Sequence, residues 1–192
     1  TQSTWGSETK PYLTMKLMKT LAILLIIAAY CAAAKAKDLV KSSCSRSRFP
    51  DVCQATLSPY AGRVKTPQDL AQAAVEVSLD RTRKFSAYLG TLRGRAKRER
   101  TALGDCVELM STSVSQLSKS LSQIKTMRIG ASDFKLKISN VKTWVSSALT
   151  NDDTCVGGFR DVNVQIKVEF NKNINTVATV TSNALYLINC LQ

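Results

Sequence analysis

Hydrophobic positions recur along this chain mainly in steps of three and four. Behind Thr66, Pro67 and Asp69, the residues Ala71, Val75, Ser78, Thr82, Phe85, Leu89 and Leu92 alternate steps of four and three. That period covers one face of an α-helix. Thr66 can cap its start, Pro67 suits the first helical position, and Asp69 stands where a capping box needs its acceptor. At ~1.5 Å per residue the helix would run about 40 Å. A second stripe is Leu103, Val107, Met110, Val114, Leu117, Leu121 and Ile124, with Cys106 beside it. In a third, Asp133 can cap, Ile138, Val141, Val145, Ala148 and Cys155 face inward, and Gly157-Gly158 provide the stop. The fourth is Val177, Val180, Ala184, Leu187 and Leu191.

Two stretches follow other rules. Between Asp38 and about Ser58 the pattern is short and interrupted, and Pro50 biases Phe49 away from helix. Two short helical pieces folded back on each other would bring Cys44 and Cys53 side by side. Val162, Val164, Ile166, Val168 and Phe170 alternate, which is a strand period, yet Val162, Ile166 and Phe170 also step by four. A lone strand has nothing here to pair with, so 160–172 reads as a helix start or a loop. Together the elements predict an all-α fold. An antiparallel four-helix up-down bundle over 66–191 is preceded by a short N-terminal helical hairpin over 38–60.

The first 36 residues stand outside that pattern. Residues 1–14 are polar and read as a non-structural upstream segment. From Met15 the text changes: Lys16 and Lys19 precede an apolar run, Leu21 to Ala29, and an Ala-rich exit follows at Ala32-Ala33-Ala34 and Ala36. This is the layout of a secretory signal peptide over 15–36, too short for the ~20 apolar residues of a membrane span. Cleavage near Ala34 or Ala36 would remove Cys31 and leave residues 37–192 as the mature domain, secreted to the extracellular space and without a membrane anchor.

Composition narrows the chemistry. The chain has 192 residues and no His, which excludes Ser-His-Asp and Cys-His nucleophiles and His-ligated zinc. None of its eight Gly forms a phosphate-cradling loop. No catalytic, cofactor-binding or metal-ligating residue is assigned, and the composition leans away from an enzyme. Residues 1–36 carry four basic groups (Lys10, Lys16, Lys19, Lys35) and one acid (Glu8), which leaves 23 basic and 13 acidic groups in 37–192, a net +10. Arg93, Arg95, Lys97, Arg98 and Arg100 form the densest run, a candidate polyanion patch that is equally well read as a solvated connection. No stacking aromatics interleave with it, which argues against nucleic acid. Five cysteines remain after cleavage, Cys44, Cys53, Cys106, Cys155 and Cys190, an odd number in an oxidising compartment.

The cysteine flanks carry a resemblance. Cys44 to Cys53 reads CSRSRFPDVC, Cys106 sits in ALGDCVELM, Cys155 ends VKTWVSSALTNDDTC, and the last helix closes on TSNALYLINCL. In that order, after a signal peptide, these segments resemble the plant invertase/pectin methylesterase inhibitor family from about Asp38 to Gln192. The resemblance implies a four-helix bundle with a preceding helical hairpin, disulfides Cys44–Cys53 and Cys106–Cys155, and a free thiol at Cys190. Closing nine and 49 positions, these links would contribute roughly 2.6 and 4 kcal/mol on chain-entropy arithmetic.

The family divides by target. Its invertase inhibitors carry a Pro-Lys-Phe triplet before the last bundle helix; here residues 158–163 read GFRDVN, and Trp144 to Cys155 looks more like the pectin methylesterase branch. The resemblance therefore implies a secreted, cell-wall (apoplast) inhibitor that binds a pectin methylesterase one-to-one and covers its substrate cleft with the second, third and fourth bundle helices, thereby regulating pectin de-esterification. Acid invertase, cell-wall or vacuolar, is the alternative protein partner. De-esterified pectin, a polyanion, is a further one, for a basic wall protein without inhibitory activity. Thr154 matches a family position at the esterase interface, and Thr112, Ser115 and Lys142 are further candidate partner-binding residues on the second and third long helices. One departure stands out: where well-inhibiting relatives carry acids on the helix after the third cysteine, this chain has Ser and Thr.

Overall fold

The computed structural model describes residues 9–92, 97–160 and 164–191. Among the described residues, six α-helices follow one another: α1 (Thr9–Cys44), α2 (Pro50–Leu57), α3 (Pro67–Thr91), α4 (Lys97–Thr126), α5 (Phe134–Gly158) and α6 (Val164–Asn189), with a 3₁₀ turn at Ser58–Arg63. The last four form the antiparallel bundle. α4 packs on α5 and α3, and α6 on α3 and α5, so α3 lies diagonally across from α5. The end of α1 folds back on α2 as the hairpin, and the disulfide Cys44–Cys53 ties its two arms at a Cα separation of 5.5 Å.

Local sequence explains most boundaries. Thr66 and Asp69 form the expected capping box, with the Thr66 side chain accepting from the Asp69 amide and the Asp69 carboxylate accepting from the Thr66 amide. Gln68 lies in the first turn of α3 and donates to the carbonyls of Ile124 and Met127, both at 3.0 Å. It thereby gives a partner to the Met127 carbonyl just past the end of α4 and a second one to the Ile124 carbonyl, which also accepts from the Met127 amide. Asn183 of α6 clamps the hairpin link: its Oδ1 accepts from the Phe49 amide at 3.2 Å and its Nδ2 donates to the Phe49 carbonyl at 3.0 Å. Gly130, at φ +85°, makes the turn that leads into α5, a left-handed position open mainly to glycine.

Three expectations need correction. Asp133 occupies the N-cap of α5 but makes no side-chain cap; its carboxylate reaches Lys137 at 2.8 Å instead, because its backbone is already helical. Gly157 and Gly158 both lie inside α5, neither has positive φ, and the helix closes at Phe159. The buried stripe of α4 is Leu103, Cys106, Met110, Ser113, Leu117, Ser120 and Ile124, whereas Val107 is 39% exposed and Val114 and Leu121 are half-buried. The reason is close packing on α5. Cys106 is bonded to Cys155 at a Cα separation of 4.9 Å, which fixes the rotation of α4 and leaves the inward places nearby to small side chains.

The stripes of α3, α5 and α6 are buried as expected, except that Leu92 is half-buried. In α6, Phe170 is buried while Val168 is 72% exposed, so the helical period wins over the alternating one; Val162 lies outside the described residues.

The core has two apolar clusters. One, next to the hairpin, runs from Val40 and Cys53 to Ile188; the other holds Phe85, Met110, Cys155, Phe159 and Phe170. Polar groups mark where they part: Thr82 on α3, Ser113 on α4 and Asp152 on α5 are all buried. Ser78 and Thr181 share a hydrogen bond at 2.7 Å nearby, and Thr82 donates to the Ser78 carbonyl.

The apolar run of α1 packs on none of this. Leu21 and Ile23 to Ile27 are more than half exposed, and among the described side chains the first buried one is Val40. Among the described residues, no helix is long and apolar enough to cross a membrane.

Candidate partner-binding face

The outer face of α5 is built from hydroxyls. Ser139, Thr143, Ser146, Thr150 and Thr154 recur every three or four residues, all exposed. Three of these hydroxyls donate back to carbonyls one turn earlier: Thr143 to Ser139 at 3.0 Å, Thr150 to Ser146 at 3.1 Å, and Thr154 to Thr150 at 2.9 Å. With their protons committed inward, these hydroxyl oxygens present lone pairs to the outside and act as fixed acceptors. Between Ile138 and Thr154 the charges that reach the surface are Lys142 and Asp153, which offset each other, while Lys135 and Lys137 lie in the first turn of the helix.

Each edge of the face has its own character. Toward α6, Lys142, Ser146, Thr150, Leu185 and Asn189 line a shallow open groove. Toward α4 the helices are joined by amides. Gln116 donates to the Ser147 hydroxyl at 2.7 Å, and Asn151 donates to the Ser113 hydroxyl at 3.1 Å. With the Cys106–Cys155 disulfide these bonds brace α5 along its length, so its side chains are already ordered before any partner arrives.

The expected residues do not form one cluster. Thr154 and Lys142 are both on α5, but twelve positions apart, about 18 Å along the axis. Lys142 is half-buried at the α6 edge, and Thr154 is exposed, one turn beyond Asn151 and Thr150 toward the helix end. Thr112 is exposed on α4 one turn before Gln116, on the side that meets α5; Ser115 is exposed and points further from it. Arg93 and Arg95 lie outside the described residues. Lys97 and Arg98 open α4, and Arg98 and Arg100 make interactions of their own around buried Glu99. Cys190 is free and exposed.

Asp152 was not anticipated. It takes the core place between Ala148 and Cys155, is 1% exposed, and neither carboxylate oxygen has a hydrogen-bond partner. Burial, and then the charge of Asp153, push its pKa up to about 8. The steps of four and three through residues 148, 152 and 155 were the available signal. Asn151, Gln116 and Ser147 gave no such warning, since each reads alone as solvated surface.

Comparison with known proteins extends these observations. The profile of the plant invertase/pectin methylesterase inhibitor family matches residues 38–187. The chain is 42% identical to pectinesterase inhibitor 3 of Arabidopsis thaliana, covering 81% of this chain and 80% of that one. It is 38% identical to the 21 kDa protein of Daucus carota, covering 91% and 96% respectively. A crystal structure of a pectin methylesterase inhibitor from Arabidopsis thaliana superposes with a TM-score of 0.56 at 18% identity, over 81% of this chain and 97% of that one, a similarity of fold.

Proposed function

This chain belongs to the plant invertase/pectin methylesterase inhibitor family, and from that membership we propose that it is a secreted inhibitor of pectin methylesterase. The observation that carries the reading is the 42% identity with a protein named pectinesterase inhibitor 3 over four-fifths of both chains. The mechanism is occlusion. One inhibitor docks on one esterase, α5 with the adjoining edges of α4 and α6 fills the substrate cleft, and no inhibitor residue reacts. Thr154 and Thr112 at the α4 edge and Lys142 at the α6 edge make contact, with Ser115 at the periphery. Fixed acceptor oxygens on α5 replace the hydroxyls of the polymer that the cleft would otherwise hold. The face is not the basic part of the molecule, so docking on a basic esterase meets little like-charge repulsion.

Residues 15–36 act as the secretory signal and residues 37–192 as the working domain; the exposed apolar run of α1, which packs on none of the bundle, supports that division. Removal of the signal leaves the hairpin anchored through Val40, Cys44 and Asn183.

An activity panel tests the proposal. Several purified pectin methylesterases and a cell-wall acid invertase are assayed with micromolar protein. Loss of esterase activity with invertase intact is the expected result. Inhibition of invertase alone would move the chain to the other branch, and intact activity throughout would overturn the reading.

A further inference from the structure

We propose that the groove between α3 and α6 binds a carboxylate-bearing pectin chain, the product left when a pectin methylesterase removes methyl groups. The identity of the polymer rests on the function proposed above; the groove itself does not.

Arg81, Lys84, Phe85 and Tyr88 share one face of α3, and Lys172 and Asn173 meet them from α6. Phe85 is buried and forms the floor; Tyr88 is half-buried beside it, the two rings 6.2 Å apart. The three cations are exposed. Two acids belong to the same neighbourhood: Asp80, paired with Lys84 at 2.7 Å, and Glu169, whose charge reaches Tyr88. Among the described residues Arg81 and Lys172 have no acidic partner, and they stand on opposite walls.

This set fits an acidic sugar. A guanidinium and an ammonium pair with carboxylates, the amide of Asn173 can both donate to and accept from ring hydroxyls, and the tyrosine offers a flat apolar surface to the C–H face of a sugar. At about 240 Å³ the groove is smaller than the ~300–1,000 Å³ pockets that enclose a whole ligand, which suits a passing segment of a polymer. Its position adds a consequence. α3 is diagonal to α5, so the polymer and the esterase occupy different sides of the bundle. The protein would be retained where de-esterification has already occurred, which raises its local concentration beside the enzyme that made the carboxylates.

The test is retention of the purified protein on immobilised de-esterified pectin and on fully methyl-esterified pectin, across a salt series. Arg81→Gln/Lys172→Gln is compared with the charge-matched Arg46→Gln/Lys41→Gln, two exposed residues of the N-terminal hairpin. The expected result is salt-sensitive retention on the de-esterified polymer only, weakened about tenfold by the groove pair and less than about twofold by the control pair. Both variants should inhibit pectin methylesterase as well as the parent. Equal weakening by the two pairs, equal retention on the methylated polymer, or no retention would overturn the groove. Loss of inhibition in the groove pair alone would overturn the separation of the two sides. Failure of every variant and the parent to inhibit, with retention intact, would sink the inhibitor reading and leave the groove standing.

Discussion

Asp152 shows at single-residue scale what the chain tolerates inside its core. Its carboxyl is buried and unpartnered at the level where the two apolar clusters part. With a folded pKa of about 8 against an ordinary value of 3.8, the folded state holds a proton that the unfolded chain releases. Stability from this group is therefore fully present below about pH 4 and is lost as pH rises toward 8, at roughly 1.4 kcal/mol per pH unit. Asp152→Asn should remove that slope and raise the melting temperature at pH 7; urea unfolding at pH 5 and pH 7 checks it. An unchanged slope, or a variant less stable at pH 7, would contradict the assignment. Asn183→Ala should behave in the opposite sense and cost about 1–3 kcal/mol at any pH, because the Phe49 amide loses its partner and the Phe49 carbonyl keeps only the Cys53 amide. Neither residue was legible in the sequence. An acid at a core spacing is outvoted by the usual exposure of acids, and an asparagine that clamps a loop 134 positions away leaves no local trace.

The helices themselves were legible, since burial repeats every three or four residues and the Thr66–Asp69 capping box is local chemistry. The rotation of α4 was not. Apolarity favoured Val107, Val114 and Leu121, but the inward places belong to Cys106, Ser113 and Ser120 because the helix is drawn close to α5. Ser113 donates to the Ala148 carbonyl at 3.5 Å and accepts from Asn151, so a larger side chain there has no room. Ser113→Leu should cost about 1–3 kcal/mol by overpacking, whereas Val114→Ser at the half-buried neighbour should cost less; paired denaturation curves measure both. The disulfides rank in the same way. Cys106→Ser/Cys155→Ser should destabilise by about 4 kcal/mol and Cys44→Ser/Cys53→Ser by about 2.6 on the chain-entropy model. The first pair should also weaken inhibition, since it frees the braced face. A double variant that unfolds earlier yet inhibits undiminished when assayed well below its melting temperature would separate the brace from the function.

At the scale of the whole molecule, the arrangement divides labour among faces. α5 and its edges present ordered hydroxyl acceptors with little net charge, while the groove between α3 and α6 gathers cations over aromatic rings. Fold and disulfides could be expected from periodicity and from the residues around the cysteines. The composition of the faces could not, because it depends on which helices are neighbours and which are diagonal. The central claim is that α5 acts as a rigid plug in the substrate cleft of an esterase. Its most direct test is a titration of a purified pectin methylesterase with the parent protein and with Thr150→Arg, which places a long cation at the exposed centre of α5. The account predicts that the parent abolishes activity at one equivalent and that Thr150→Arg, folded to the same melting temperature, binds at least about thirtyfold more weakly. Unchanged esterase activity with the parent in excess, or undiminished potency in Thr150→Arg, would contradict it.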